Sequence, residues 1–119
     1  PHFALSNMGL AYYQKKDYAE AEKHFQEALK MNPDFVNALA GLATTYMATG
    51  RYDDAIAKLE RAVRKEPKLP HLHYELGKAY EGKRNPAKAR EEYQRAAELA
   101  PDSPLGDDAQ KAVRRIGQP

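Results

Sequence analysis

The sequence feature that most constrains this fold is a regular spacing of prolines. Pro33, Pro67 and Pro101 lie 34 residues apart in a chain of 119 residues. A fixed period of this length indicates a repeated structural unit. Proline disfavours helix in the residue before it and cannot donate a backbone hydrogen bond, so each of these prolines is expected to end one unit.

Other positions recur when the chain is aligned on this period. Apart from His73, each recurring position keeps one size class, either bulky and apolar or small. Small side chains let two helices approach closely, and large side chains fill the remaining space. The recurring positions are Leu5, Leu39 and His73; Met8, Leu42 and Leu76; Gly9, Ala43 and Gly77; Tyr12, Tyr46 and Tyr80; Ala21, Ala55 and Ala89; Phe25, Leu59 and Tyr93; and Ala28, Ala62 and Ala96.

Each unit carries two amphipathic segments. In the first unit, Leu5, Met8 and Tyr12 follow the spacing of three to four residues that defines one face of a helix. Phe25 and Ala28 do the same in the second half of that unit. The pattern predicts helices over residues 3–15, 18–31, 36–48, 52–65, 70–82, 86–99 and 105–116.

The turns between paired helices carry residues that end and begin helices. Gly50 is placed where a helix ends in the left-handed conformation, which glycine adopts without steric cost. Asp17 is suited to cap the next helix. Asn85 followed by Pro86 is typical of a cap with proline at the first helical position. We therefore predict that each unit is a helical hairpin.

This pattern resembles the tetratricopeptide repeat, a helix–turn–helix unit with Leu-Gly, Tyr, Ala, Phe and Pro at set positions. The resemblance covers residues 2–35, 36–69 and 70–103. It implies an all-α, right-handed α-solenoid of three repeats. The position that is often tryptophan in the family holds Leu5, Leu39 and His73, and Pro86 replaces the tyrosine found at Tyr18 and Tyr52.

Residues 104–119 do not continue the repeat. Leu105, Ala109, Val113 and Ile116 nevertheless form an apolar helical stripe. Repeat arrays need a terminal element with one apolar face and one polar face. We expect a capping helix and tail here, with Lys111 and Arg115 on the outer face.

The resemblance implies a scaffold or adaptor that binds a peptide or helix of a partner protein. The first helix of each repeat then lines the concave groove, and none of its groove residues is needed for packing within a hairpin. Among the positions carried over, Ala40, Gly41, Glu75 and Glu81 also face the groove. The candidate contacts are Phe3, Ser6, Asn7, Leu10, Tyr13, Asn37, Thr44, Met47, His71, Tyr74 and Lys78.

Chaperone adaptors of this family hold the C-terminal carboxylate of a peptide with Lys, Arg and Asn side chains. The corresponding positions here are Ser6, Leu10, Gly41, His71 and Glu75. They provide no carboxylate clamp, and Glu75 would repel a carboxylate. We therefore expect a partner segment with apolar anchors and not a chaperone C-terminal tail.

Two other functions stay open. The chain begins Pro1-His2-Phe3 without an initiator Met, as expected for a piece excised from a longer protein. Its apolar surface would then serve a structural role in that protein or mediate self-association. The less favoured alternative is weak nucleic-acid binding through basic residues near the C-terminus, because the net charge is only +2. These residues are Lys83, Arg84, Lys88, Arg90, Lys111, Arg114 and Arg115.

Composition and motifs favour neither an enzyme nor a cofactor site. The chain has no cysteine, which excludes disulfides, thiolate nucleophiles and cysteine-ligated zinc. Glycine-rich phosphate loops and nucleophile motifs are absent from the sequence. His71 and His73 point to different faces of one helix, which does not suit a metal site. No apolar run approaches the ~20 residues of a membrane span, which favours a soluble protein. The compartment stays open, with the cytoplasm as the default expectation.

Paired acids along the chain are expected to be surface charge. Asp53-Asp54 and Glu91-Glu92 lie on helices, where a basic residue four positions further on can form an ion pair. The expected pairs are Asp54–Lys58, Glu60–Arg64 and Glu91–Arg95.

Overall fold

The computed structural model describes residues 1–117 of the chain, and these residues form seven α-helices and no strand. Sequence periodicity predicted every helix, with ends that differ by at most one residue. None of these helices combines the length and apolarity that a membrane crossing requires. The helices are α1 (His2–Gln14), α2 (Tyr18–Met31), α3 (Val36–Ala48), α4 (Tyr52–Lys65), α5 (Pro70–Gly82), α6 (Pro86–Leu99) and α7 (Pro104–Ile116).

Side-chain caps begin three of the helices. Asp17 accepts a hydrogen bond from the backbone N–H of Glu20 at 3.4 Å, and Asn85 accepts one from Lys88 at 3.3 Å. Both caps were predicted from the sequence. Ser103 was not predicted, although its hydroxyl accepts from the N–H of Gly106 at 3.0 Å and Pro104 follows at the first helical position. A serine before proline is the local signal that identifies it.

The turns within the hairpins share one backbone conformation. Gly50 has the predicted positive φ, +79°. Lys16 and Arg84, each 34 residues away, have φ values of 64° and 66°. All three turns therefore pass through the left-handed region, and only one of them has glycine there.

Glycines in the first helix of a repeat allow close contact with an aromatic ring of the second helix. A Cβ atom added at Gly9 would lie 2.8 Å from the ring of Phe25, and one at Gly77 would lie 2.7 Å from that of Tyr93. Phe25 and Tyr93 are fully buried. The predicted pairing of small and large side chains is confirmed in these two hairpins.

The helices stack so that the odd-numbered ones lie on the inner side. Each helix packs on the next along the chain, and α1 contacts α3, α3 contacts α5 and α5 contacts α7. Even-numbered helices make no such contacts with one another in the described part of the chain. The molecule measures 44 × 25 × 22 Å. A surface built from α1, α3 and α5 is therefore the concave side of this array.

The outer face of α1 lacks the neighbour that α3 and α5 have. Met8 is 45% exposed, whereas Leu42 and Leu76 at the same repeat position are 1% and 3% exposed. Leu42 and Leu76 are covered because α3 packs on α2 and α5 packs on α4. The sequence placed Met8 among the packing positions, which is wrong for the described residues because no helix precedes α1 there.

A network of charged and polar groups attaches α7 to the array. The Arg115 guanidinium donates to both carboxylate oxygens of Glu81, at 2.6 and 2.8 Å, and Tyr93 Oη donates to the same carboxylate at 2.6 Å. Arg115 holds the pKa of Glu81 below its usual value, while burial raises the pKa of Tyr93. Arg115, which was expected on the outer face, is therefore an ion-pair partner of Glu81, and the expectation that Glu81 faces the groove stays a prediction.

The ion pairs predicted within single helices do not form in residues 1–117. Asp54 pairs with Arg51 at 3.1 Å and not with Lys58. Arg51 also reaches Glu22 of the preceding hairpin at 3.0 Å. The first contact is local, between the residue that precedes α4 and the first turn of α4, and the second joins that residue to α2 of the preceding hairpin. The expected pairs Glu60–Arg64 and Glu91–Arg95 are likewise not among the ion pairs of the described residues.

Candidate partner-binding groove

The concave side of the array contains a groove of about 510 Å³. Residues from α1, α3 and α5 line it, together with one residue of α2 and one from the turn before α3. Its polar and apolar groups are unevenly distributed along its length. The lining residues are Phe3, Ser6, Asn7, Leu10, Phe25, Phe35, Asn37, Ala40, Gly41, Thr44, His71 and Glu75.

The α1 end of the groove is apolar. Phe3 and Leu10 are 62% and 49% exposed, and they lie two turns apart on α1. Phe3 packs edge-on against Phe35 with ring centroids 5.0 Å apart, and His2 lies 4.4 Å from Phe3. These contacts hold the Phe3 ring in place while much of it stays accessible to a ligand.

The floor of the groove is the ring of Phe25. A Cβ added at Gly41 would lie 2.5 Å from this ring, so the ring reaches the groove only because Gly9 and Gly41 have no side chains. Sequence reasoning missed Phe25 and Phe35 as lining residues. The signal was available in Gly41, since a small residue on a groove-facing helix exposes whatever packs behind it.

The middle of the groove offers neutral hydrogen-bonding groups. Asn7 and Asn37 are exposed. Thr44 Oγ1 donates to the Ala40 carbonyl at 2.9 Å, which leaves its oxygen as an acceptor. Amides and hydroxyls of this kind suit the backbone of a bound peptide.

The α5 end of the groove is negatively charged because it contains the carboxylate of Glu75. Glu75 is the one formally charged side chain among the lining residues, and His71 lies one turn before it. Glu75 Oε1 is 3.1 Å from Lys78 Nζ. Glu75 Oε2 is buried and has no hydrogen-bond partner among the described residues.

Seven of the eleven residues predicted from the sequence line this groove, namely Phe3, Ser6, Asn7, Leu10, Asn37, Thr44 and His71. The other four, Tyr13, Met47, Tyr74 and Lys78, are not among its lining residues. Tyr13 packs near Tyr18, with ring centroids 5.6 Å apart, and Met47 packs partly buried against the core.

Tyr74 and Lys78 contact other side chains of the protein. The Tyr74 ring packs against Tyr93 with centroids 5.3 Å apart, and Lys78 Nζ lies 5.5 Å from the Tyr74 ring. The expectation that groove residues are not needed for packing is therefore wrong for Tyr13 and Tyr74. It is also wrong for Ser6, which is buried.

His71 and His73 lie in different surroundings. His73 is buried, with Nδ1 2.9 Å from Glu92 Oε1 and Nε2 2.9 Å from the Pro67 carbonyl oxygen. These contacts link α5, α6 and the preceding turn, which is a packing role. His71 is exposed and lines the groove.

The basic cluster near the C-terminus is partly neutralised. Lys83 pairs with Asp53 at 2.6 Å, and Arg115 pairs with Glu81. Lys88 lies over the Tyr80 ring at 5.9 Å. Such pairing reduces the charge available to a phosphate backbone.

Comparison with known proteins gives a family match over most of the chain. The family model described as "Tetratricopeptide repeat" matches residues 6–70 and 41–104. DnaJ homolog subfamily C member 7 of Mus musculus is 32% identical over 96 residues, which is 81% of this chain and 19% of that protein. This chain therefore spans about a fifth of the length of that relative.

Two solved structures have the same fold. The Yersinia enterocolitica type III secretion chaperone SycD, in complex with a peptide of the translocator YopD, has a TM-score of 0.89 at 23% identity, covering 95% of this chain and 89% of that one. The first repeat domain of Spaghetti (RPAP3), bound to the HSP90 peptide SRMEEVD, has a TM-score of 0.91 at 20% identity, covering 98% and 90%.

Proposed function

This chain belongs to the tetratricopeptide-repeat family, and from that membership we propose that it binds a segment of a partner protein in the groove between α1, α3 and α5. The chain is a protein-interaction module. SycD and RPAP3, which share the fold, are described in complex with partner peptides.

The observation that carries the proposal is the accessible apolar surface at one end of this groove. On α1, where only Ser6 and Gly9 are buried, Phe3 and Leu10 line the groove and are 62% and 49% exposed. Water penalises such exposure by roughly 25 cal/mol per Å², so covering these side chains favours binding. The hydrogen-bonding groups of Asn7 and Asn37 lie in the same groove and can orient a bound backbone.

The sequence predicted that chaperone tails do not bind, whereas a protein of the same fold is described with a chaperone peptide. RPAP3 is described with an HSP90 peptide, which argues against excluding chaperone peptides from the fold as a whole. In this chain, however, Glu75 and Leu10 line the groove, and Lys78 lies outside it paired with Glu75. We propose that SRMEEVD binds weakly here because the groove provides no positive charge to meet its acidic residues.

A peptide selection tests this function directly. Random 12-residue peptides displayed on phage are selected on the chain, and the affinities of the synthetic peptides are measured by fluorescence anisotropy, with SRMEEVD as comparator. We expect roughly micromolar dissociation constants, about −8 kcal/mol, and little change with added salt, because apolar contacts are not screened.

Matched variants locate the binding site. The double variant Phe3→Ala with Leu10→Ala should weaken the selected peptides at least tenfold. The control variant Met8→Ala with Met31→Ala removes two apolar side chains outside the groove, which are 45% and 58% exposed, and should leave binding unchanged. The groove is refuted as the site if the selected peptides bind both double variants equally well. It is also refuted if no selected peptide binds the wild-type chain more tightly than it binds the Phe3→Ala, Leu10→Ala variant.

Self-association is the second candidate function, and the exposed face of α1 favours it. Met8 is uncovered where equivalent residues pack on a helix, and a SycD structure of the same fold is described as an alternative dimer. The occupant in this case is a second copy of the chain. Light scattering should show a mass that rises with protein concentration. The rise should be smaller for Met8→Lys, and for Met31→Lys it should equal that of the wild-type chain. A concentration-independent monomer rejects this candidate.

A further inference from the structure

The groove contains one polar atom that the described part of the protein leaves without a partner. Glu75 is only 20% exposed, and its Oε2 is buried. Lys78 approaches Oε1 at 3.1 Å from the same helix, and Oε2 has no hydrogen-bond partner among the described residues. A buried carboxylate oxygen without a donor is unfavourable, so a ligand that supplies a donor gains affinity there.

The charge of the groove determines which donor suits Glu75. None of the other lining residues carries a formal charge. A cationic side chain would meet a carboxylate with no competing positive charge among these residues. Hydrogen bonds between two charged groups are also stronger than those with a neutral donor.

The repeat geometry sets the distance between this acceptor and the apolar end. Glu75 lies on α5 and Phe3 on α1, with α3 between them and in contact with both. Helices in contact have axes about 8–10 Å apart, so the two sites are separated by roughly 16–20 Å. An extended peptide rises about 3.3 Å per residue and covers that distance in about five or six residues.

An extended peptide also suits the middle of the groove better than a helix does. Asn7, Asn37 and Thr44 present hydrogen-bonding groups there. A helix satisfies its own backbone groups internally, whereas an extended segment has free N–H and C=O groups for such side chains.

We propose that the partner segment is an extended peptide with an Arg or Lys that binds Glu75, about five or six residues from an apolar residue that packs on Phe3 and Leu10. This inference rests on the groove being the binding site, as proposed above. It makes Glu75 the residue that determines specificity and gives the groove a preference for basic peptides over acidic ones.

Parallel selections test the preference. The same library of random 12-residue peptides is selected on the wild-type chain, on Glu75→Gln, and on Glu91→Gln, an exposed acid of α6 outside the groove. Circular dichroism and melting first establish that each variant is folded. The wild-type and Glu91→Gln pools should share a basic residue at the stated distance from an apolar one. The Glu75→Gln pool should keep the apolar residue and lose the basic one.

A cycle with one synthetic peptide gives the energy of the contact. Replacing the basic residue of a wild-type-selected peptide by glutamine should weaken binding to the wild-type chain at least tenfold, about 1.4 kcal/mol, and leave binding to Glu75→Gln unchanged. Equal basic content in all three pools overturns the inference. A second outcome is that Glu75→Gln weakens binding, whereas replacing the basic residue of the peptide by glutamine does not. In that case a neutral donor of the peptide binds Glu75, and the proposal of an Arg or Lys at this position is wrong.

The groove variant separates this inference from the proposed function. If selected peptides depend on Phe3 and Leu10 but not on Glu75, the groove binds peptides and only the specificity is wrong. If they depend on neither, the proposed function fails as well.

Discussion

Three residues at equivalent turns adopt the left-handed conformation, and they differ in how well they tolerate it. Gly50 has no Cβ to clash, whereas Lys16 and Arg84 do. The conformation costs a non-glycine residue roughly 1–2 kcal/mol. Part of any gain on replacement is offset because glycine also has more freedom in the unfolded chain.

Lys16→Gly and Arg84→Gly should therefore each stabilise the protein by about 0.5–1 kcal/mol. Urea unfolding measures this as a higher midpoint at unchanged slope. Lys15→Gly is the matched control, because Lys15 has φ −82° in the right-handed region and should lose stability on replacement. Stabilisation by Lys15→Gly as well would show that the effect is not specific to the left-handed turns.

Within the helical hairpins, the partners at two repeat positions vary together. Gly9 faces Phe25 and Gly77 faces Tyr93, whereas the second repeat has Ala43 and Leu59 at these positions. A larger residue on the first helix thus accompanies a smaller one on the second. This suggests that the spacing between the helices is kept constant by compensating volumes.

Gly9→Ala should cost about 1–3 kcal/mol despite the better helix propensity of alanine, because its Cβ meets the buried Phe25 ring. Adding Phe25→Leu recreates the Ala43 and Leu59 pair and should recover part of that loss. Thermal unfolding of both single variants and the double variant measures the coupling. Simple additivity of the two single effects would mean that the pairs do not compensate.

The sequence predicted helices better than it predicted groove residues, and side-chain direction explains why. Helix positions follow from periodicity, which depends only on neighbouring residues in the chain. Tyr13 and Tyr74 lie at the border between groove and core, where the crossing of two helices decides which way a ring packs. That crossing depends on distant residues and is not visible in the local pattern.

Glu81 shows a relation that the repeat spacing did contain. Arg115 lies 34 residues after Glu81 and binds it across α5 and α7. Helix α7 thus contacts α5 as α5 contacts α3, although its own sequence does not follow the repeat. Extending the alignment through residue 115 would have paired the two charges. The assignment of residues 2–35, 36–69 and 70–103 to separate repeats stays a prediction.

At the scale of the whole molecule, the two ends of the array are finished differently. At one end α7 packs on α6 and α5, and its Arg115 is joined to Glu81 and, through that carboxylate, to Tyr93. At the other end the Met8 face of α1 has no neighbour in residues 1–117. We therefore expect that a second protein copy or another segment would associate at the α1 end, where it would cover the Met8 face and stabilise the array. Loss of the Glu81 network should instead loosen the packing of α7.

Acid should loosen α7 through Glu81. Arg115 lowers the pKa of this carboxyl in the folded protein, so its stabilising effect is complete above the unfolded value of about 4.3. The effect is lost as the pH falls through the lowered folded pKa. Since Glu81 is partly exposed, we expect about 1 kcal/mol from this network.

Glu81→Gln removes the titrating group and is the direct test of this pH dependence. Wild type should melt at a higher temperature than Glu81→Gln at pH 7, and the difference should shrink as the pH falls below the unfolded pKa, because protonated Glu81 resembles glutamine. Hydrogen exchange of the α7 amides should accelerate in parallel. Glu91→Gln, outside any ion pair of the described residues, should show a small difference from wild type at every pH. A wild-type advantage over Glu81→Gln that stays constant from pH 7 to pH 3 would mean that α7 is held by apolar packing alone.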